Sequence, residues 1–280
     1  MTSENWRDTP AVSKPYAEVI GDPIAQSKSP VIHGHWLDAL GVEARYRKVH
    51  VPPQELGAYV AARRQDTNWR GCNVTVPHKT EILDHVDRYG ADVEVIGAAN
   101  TIWKDARGRL CARNTDWEGF LEPLDVLSLA GGHAVIFGAG GAARGVIYGL
   151  KMRNIGRVTI VNRTLERGRR LLSDLDVPGE VIAPEAPLPR CALIVNATSL
   201  GMAGEPDLEI DLAKVSAATV IYDIVYTPLE TGLLKASHRS GQRTIDGLGM
   251  FIGQARAAFP ALFGVKPPSD DKDLRKLLTS

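Results

Sequence analysis

The clearest pattern of apolar and polar positions lies between residues 134 and 222 of this 280-residue chain. Ala134–Phe137, Arg157–Val161, Ala192–Val195 and Thr219–Tyr222 are short aliphatic or β-branched runs bounded by turn residues. Such runs predict parallel strands buried on both faces. Between them the apolar spacing changes to three and four. Ala142, Val146 and Leu150 form one stripe, Gly168, Leu171, Leu172 and Leu175 a second, and Leu229, Leu233 and Leu234 a third. Strands alternating with helices in this way predict a doubly wound α/β sheet.

The amino-terminal third alternates as well, more faintly. Strands are predicted over Glu18–Ile20, Arg45–Val51, Gly71–Val74 and Ala99–Trp103, and a helix over Ser29–Leu40, where Ile32, Trp36 and Leu40 share a face. This is a second α/β unit. A helix over Gly247–Phe263 and, after Pro267–Pro268, a polar final helix close the chain, with no strand after Asp246. A last helix returning to the first unit makes that unit discontinuous. The expected domains are therefore residues 1–115 with 247–280, and residues 116–246. Met1 to Tyr16 is polar, carries Pro10 and Pro15, lacks the apolar core of a signal peptide, and reads as a frayed extension.

Composition removes several function classes. Lys+Arg and Asp+Glu both number 33, so the basic excess of a general nucleic-acid or membrane-surface binder is missing. No stretch approaches the roughly 20 apolar residues of a membrane helix. Cys72, Cys111 and Cys191 are scattered without a CxxC pair, which implies no disulfide framework or zinc spacing and fits a reducing compartment. His33 and His35, two apart on a predicted helix, do not share a face. His50, His85, His133 and His238 are scattered, so structural or surface roles are expected and no metal is implied.

The sharpest chemical signal is Gly138-Ala139-Gly140-Gly141-Ala142-Ala143-Arg144, which follows a predicted strand and opens a predicted helix. That is the context a dinucleotide-binding turn needs. Gly138 permits the tight turn, Gly140 the approach of a pyrophosphate, and Ala143 close helix–strand packing. The helix start offers N–H groups to phosphate oxygens. The next strand ends Val161-Asn162-Arg163-Thr164, with Arg167 following. An NAD site usually has a carboxylate there; Arg163 and Arg167, with the Thr164 hydroxyl, suit a 2′-phosphate instead. The simpler role for Thr164 is a helix cap.

In the first unit Ser27-Lys28-Ser29-Pro30 opens a helix, with Ser29 expected as N-cap and Pro30 at N1. Two hydroxyls there can cap the helix or hold a carboxylate. Asn73-Val74-Thr75-Val76-Pro77-His78-Lys79 repeats the design, and Lys79 falls in an expected first helical turn, where a cation opposes the dipole. His78 borders Lys79 and is given no role.

Together these segments resemble the shikimate dehydrogenase family from Val19 to Phe263. The resemblance also rests on Asn100-Thr101, Asn114-Thr115-Asp116, Asn196-Ala197-Thr198-Ser199, Tyr222-Asp223 with Tyr226, and Asp246-Gly247-Leu248-Gly249-Met250 with Gln254. It implies a substrate domain and a Rossmann-like NADP-binding domain, and reversible NADPH-dependent reduction of 3-dehydroshikimate to shikimate in aromatic amino-acid biosynthesis. It makes Lys79 and Asp116 the catalytic pair and Ser27 and Ser29 the holders of the substrate carboxylate. Thr75, Asn100, Tyr226 and Gln254 would line the substrate pocket. Gly138, Ala139, Gly140, Gly141, Ala142, Asn162, Arg163, Thr164, Arg167, Ile224 and Gly247 would contact NADP. A cytoplasmic monomer or homodimer is expected.

The chemistry of ketone reduction agrees. Hydride delivery to a ketone leaves negative charge on oxygen, which an ammonium group can stabilise and protonate. Two residues depart from the family pattern. Arg113 stands where small or acidic residues are more familiar, and Trp117 where glycine is usual. The Trp117 ring is expected to reshape the pocket or line the domain hinge. The alternatives are a quinate or dual quinate/shikimate dehydrogenase, a paralogue acting on an aminated or related ring, and a non-catalytic ligand sensor on this fold. A sensor needs neither Lys79 nor Asp116.

Overall fold

The computed structural model describes residues 5–9, 12–269 and 272–279. The chain divides into two compact units, residues 1–115 with 255–280 and residues 116–254.

The first unit contains β1 (Tyr16–Gly21), α1 (Ser29–Ala39), β2 (Arg45–His50), α2 (Leu56–Gln65), β3 (Trp69–Val74), β4 (Arg88–Tyr89), α3 (Ala91–Ile96), β5 (Thr101–Lys104) and β6 (Leu110–Arg113). The strand order is β2-β1-β3-β5-β6-β4. β2, β1 and β3 run parallel, β5 is antiparallel to both β3 and β6, and β4 pairs parallel with β6. One core gathers Tyr16, Ile20, Val49, Leu56, Tyr59, Trp69, Cys72 and Val74. An aromatic cluster of His33, Trp36, Tyr46, Phe259 and Phe263 packs α1 and β2 against the returning carboxy-terminal helix.

Three expectations for this unit need correction. Lys28, not Ser29, is the N-cap of α1, so Ser29 is its first residue and Pro30 its second. No helix starts at Lys79: residues 76–80 form a turn, followed by a short 3₁₀ helix, Glu81–His85. Tertiary bonds hold that turn. The Asp22 N–H donates to the Val76 carbonyl (3.0 Å), and His78 Nε2 donates to the Val51 carbonyl (2.7 Å). Lys79 therefore opposes no α-helix dipole. The amino-terminal segment is docked where it is described. The Trp6 N–H donates to the His50 carbonyl (3.2 Å), its ring meets Tyr59 edge-on, and Thr9 accepts from Arg63. Residues 1–4, 10 and 11 lie outside the described residues.

The second unit contains α4 (Asp116–Leu121), β7 (His133–Phe137), α5 (Gly141–Met152), β8 (Arg157–Val161), α6 (Leu165–Leu175), β9 (Gly179–Ile182), β10 (Leu193–Asn196), β11 (Val220–Asp223), α7 (Gly232–Arg239) and β12 (Thr244–Ile245). All six strands are parallel, in the order β12-β11-β10-β7-β8-β9. The winding reverses between β7 and β10, the switch point where such sheets bind ligands beyond the strands' carboxyl ends. Gly168, Leu171, Leu172 and Leu175 bury one stripe of α6. Leu229 lies outside α7, because Thr231 caps that helix by accepting the Leu234 N–H.

Helix α8 (Gly247–Phe263) straddles the division, and α9 (Lys272–Thr279) ends the chain. Residues 247–254 group with the second unit because α4 and α8 meet at two glycines. A Cβ on Gly119 would stand 2.5 Å from the Met250 carbonyl oxygen, and one on Gly253 would stand 2.8 Å from the Gly119 Cα. The division thus falls eight residues beyond the expected residue 247. Among the described residues no helix is long and apolar enough to cross a membrane.

Candidate functional site

In the second unit β7 runs straight into the glycine turn. Gly138 has φ +103°, and a Cβ there would lie 2.9 Å from Thr198 Cγ2 and 3.1 Å from the Ala197 carbonyl oxygen. Only glycine suits that position. Gly140 differs, since a Cβ there would meet nothing within 4 Å. The protein itself does not require a glycine at 140; the open space fits the approach of a pyrophosphate. Gly140 is also the N-cap of α5 and supplies no side-chain cap, so the first-turn N–H groups of Gly141, Ala142 and Ala143 suit phosphate oxygens. Ala143 is fully buried beneath them, while Ala139, Gly141 and Ala142 are half-buried at the surface of the turn.

At the end of β8, Asn162 Nδ2 donates to the Thr164 carbonyl (2.7 Å) and closes a tight turn. Thr164 occupies the N-cap of α6, yet its side chain makes no capping bond, so capping does not account for the hydroxyl. Arg163, Thr164 and Arg167 are all exposed around this helix start. These residues fit an NADP adenosine end bearing a 2′-phosphate.

Across the switch point, Asn196 and Asp223 end the neighbouring strands β10 and β11. The Ile224 N–H donates to the Asn196 carbonyl (3.2 Å). A Cβ on Gly247 would stand 2.3 Å from the Ile224 carbonyl oxygen and 2.5 Å from that of Val225. Ile224 and Gly247 are thus brought into contact, and α8 can begin there only with a glycine. Tyr226 stacks on Phe251 at 4.2 Å and 17°, and Gln254 Nε2 donates to the Phe251 carbonyl (2.9 Å). Asp116 is buried at the start of α4. Beside it the Trp117 ring meets Tyr148 of α5 at 5.6 Å and 75°. Within this unit the unusual tryptophan packs α4 on α5.

In the first unit, the Ser29 N–H donates to Ser27 Oγ (3.3 Å), with Ser29 buried and Ser27 half-buried. The Thr75 N–H donates to the Ile20 carbonyl (2.9 Å), and its methyl closes on Gly21. The Lys79 carbonyl accepts from Ala99 N–H (2.8 Å), so the Lys79 turn is joined to the segment carrying Asn100. Asn100 is buried. Its Oδ1 accepts from the Thr115 N–H (2.8 Å) and Thr101 Oγ1 (3.1 Å), and its Nδ2 donates to Thr115 Oγ1 (2.9 Å). Asn73 supports this network by donating to Thr101 Oγ1 (3.0 Å) while accepting from Tyr46 Oη (2.6 Å).

Sequence reasoning missed several of these supports. Nothing in the spacing singled out Tyr46. His78 was left without a role, yet its ring anchors the Lys79 turn from a buried position, and burial lowers its pKa so that the neutral, Nε2-protonated form persists. Arg113 Nη1 donates to the Ala257 carbonyl (3.2 Å), which ties the returning helix to β6 and accounts for an arginine there. Lys79 and Asp116 fall in different units, as do Asn100 and Gln254. Among the described residues no cluster of three or more His, Cys, Asp or Glu could hold a metal ion.

Residues 19–102 match the family model described as the shikimate dehydrogenase substrate binding domain. A shikimate dehydrogenase (NADP(+)) from Sphingopyxis alaskensis is 51% identical over 269 residues, covering 96% of this chain and 98% of that protein. Among solved structures, shikimate 5-dehydrogenase from Thermus thermophilus in complex with NADP(H) and shikimate has a TM-score of 0.82 at 31% identity, covering 94% of this chain and 98% of that one. Quinate dehydrogenase from Corynebacterium glutamicum in complex with NAD has a TM-score of 0.83 at 26% identity, covering 95% and 97% respectively.

Proposed function

The chain belongs to the shikimate dehydrogenase family, and from that premise we propose that it catalyses the reversible NADPH-dependent reduction of 3-dehydroshikimate to shikimate in aromatic amino-acid biosynthesis. The observation that carries the cofactor choice is the end of β8. It offers Arg163, Thr164 and Arg167 in exposed positions and no carboxylate to receive the ribose hydroxyls of NAD.

NADPH, when bound, supplies the hydride. Gly138, Ala139, Gly140, Gly141 and Ala142 would hold its pyrophosphate, Asn162, Arg163, Thr164 and Arg167 its 2′-phosphate end, and Ile224 with Gly247 its other end. The protein's own part is to bind, orient and protonate the substrate. Ser27 and Ser29 would hold the ring carboxylate with their hydroxyls, and Thr75, Asn100, Tyr226 and Gln254 would contact the rest of the substrate. Lys79 Nζ donates a proton to the carbonyl oxygen as negative charge develops there. Asp116 would accept a hydrogen bond from a ring hydroxyl. The first unit would then be the substrate domain and the second the NADP domain. We read the protein as cytoplasmic and as a monomer or homodimer.

A steady-state assay of shikimate and quinate, each with NADP⁺ and NAD⁺, tests this reading. The expected result is a clear preference for shikimate with NADP⁺. Efficient oxidation of quinate with NAD⁺ would overturn it.

A further inference from the structure

Asn196 and Asp223 are paired neighbours at the carboxyl ends of β10 and β11, and the roles proposed for the glycine turn and the arginines leave both unexplained. Both are fully buried. Asp223 Oδ1 accepts from Asn196 Nδ2 (3.0 Å) and the Val225 N–H (3.0 Å), and Oδ2 accepts from Thr231 Oγ1 (2.7 Å). Burial pushes this carboxyl's pKa up, while the three donors favour the charged form. A carboxylate is costly to bury, so the donors it gathers are held firmly.

The next link is the Asn196 amide. Its Nδ2 also donates to the Leu200 carbonyl (2.8 Å), and its Oδ1 accepts from the Thr198 N–H (3.1 Å) and Thr198 Oγ1 (2.6 Å). Thr198 Oγ1 accepts in turn from the Leu200 N–H (3.1 Å). The hydroxyl is thereby engaged on the protein side, and the Thr198 methyl is set against Gly138. On the other branch, the bonds donated by the Val225 and Ile224 N–H groups pin the segment on which Gly247 packs. One buried carboxylate therefore fixes two segments, 197–200 and 224–225, on the β10–β11 side of the switch point. The adenosine-end residues lie on the β8 side.

Resting on the NADP-binding reading above, we propose that Asp223 and Asn196 are positioning residues that set the wall for the nicotinamide half of the cofactor, independently of its adenosine half. In open α/β sheets a dinucleotide crosses the switch point, with its pyrophosphate at the first turn. The half beyond the pyrophosphate then lies over the ends of β10 and β11, where these two segments stand.

The test compares dissociation constants of NADP⁺ and 2′,5′-ADP for the full chain, by calorimetry, in wild type, Asp223→Asn and Thr198→Val. The second probe carries the adenosine half only. Asp223→Asn should weaken NADP⁺ by about tenfold or more, the size of one lost bond to a charged group. It should leave 2′,5′-ADP within about twofold, the scale of a few tenths of a kcal/mol. Thr198→Val keeps the methyl, loses only the hydroxyl's bonds, and should shift the same ratio less. It decides the question if Asp223→Asn does not fold. Equal weakening of both probes, or a ratio unchanged in the variants, would overturn the proposal while leaving NADP binding intact. A wild-type chain that binds neither probe would remove the NADP reading, and the proposal with it.

Discussion

Each unit buries a carboxylate on a strand that pairs parallel with its neighbours, but at different places. In the second unit Asp223 sits at the last residue of β11, answered by neutral donors beside the switch point. In the first unit Glu18 sits in the middle of β1 and is fully buried. It accepts from Arg47 Nε (2.9 Å), Arg63 Nε (2.8 Å) and Tyr59 Oη (2.6 Å). Arg63 reaches on to Thr9 Oγ1 (3.1 Å), so the docked amino-terminal segment hangs on the same cluster. A carboxylate at a strand end can shape a ligand wall. One in mid-strand can only hold architecture, and here it ties a sheet, a helix and the start of the chain together. On the proposed reading, the proton donor Lys79 and a charged scaffold go with the first unit, and Asp116 and cofactor binding on an aliphatic sheet with the second.

The strongest challenge to that division is Lys79→Ala. A general acid contributes roughly 10²–10⁴-fold, so kcat should fall by about that factor. NADP⁺ affinity should not change, because Lys79 belongs to the first unit. Steady-state rates and a separate cofactor titration check both halves. Near-normal kcat would take Lys79 out of the chemistry.

Next in size is Glu18→Ala. Removing one partner from a buried ion pair leaves the others uncompensated and costs roughly 3–5 kcal/mol. Urea unfolding should show a loss of that order, together with faster proteolysis of the amino-terminal segment as Arg63 loses its anchor. A change of under about 1 kcal/mol, the range of an exposed pair, would mean that water already screens the cluster.

The same contrast explains which elements are legible in the sequence. The strands of the second unit are continuous aliphatic runs, so β7, β8, β10 and β11 stand out, whereas the edge strands β9 (Gly179–Ile182) and β12 (Thr244–Ile245) are short and only half-apolar. In the first unit Glu18, Arg45, Arg47 and Lys48 interrupt β1 and β2, so the apolar pattern fades although Glu18 is buried. Pattern reading treats a charge as a surface mark and has no means of seeing Arg63, 45 residues away in sequence, that neutralises it. The glycine turn was legible because Gly138 meets a backbone constraint. The Tyr46–Asn73–Asn100 support was not, because its bonds join residues with no fixed spacing. The Lys79 turn was misread as a helix because long-range bonds from Asp22 and His78 outweigh local propensity.

A smaller effect sharpens the second half of the comparison. Charge-assisted bonds to a 2′-phosphate contribute roughly 1.5–3 kcal/mol each. Arg163→Ala should therefore raise the NADP⁺ dissociation constant by about tenfold or more, and barely affect NAD⁺. Both titrations check it. Equal loss for the two cofactors would mean that Arg163 holds the fold of the β8–α6 turn and does not meet the phosphate.

The smallest effect concerns another buried titratable group of the first unit. His33 is fully buried, with Tyr46 stacked on it at 4.1 Å and 9° and Phe259 at 5.7 Å and 8°. Among the described residues neither ring nitrogen has a hydrogen-bond partner. Burial therefore pushes its pKa down from 6.5 to about 3. The unfolded chain takes up a proton as pH falls through 6.5, whereas the folded chain refuses it until about 3. The stability that His33 contributes in its neutral form is complete above pH 6.5 and is lost progressively as pH falls towards 3. At about pH 5.5, roughly one unit below the unfolded value, the loss is roughly 1.4 kcal/mol. Burial lowers the pKa of His78 as well, so the informative quantity is a difference. His33→Phe keeps a planar ring in the stack and removes the proton site. Between about pH 7.5 and about pH 5.5, wild type should lose roughly 1.4 kcal/mol more stability than His33→Phe in urea unfolding. Parallel pH profiles would mean that the imidazole finds a partner inside the aromatic cluster. The first unit would then hold a second satisfied polar centre beside Glu18, in place of a buried ring kept neutral by its surroundings.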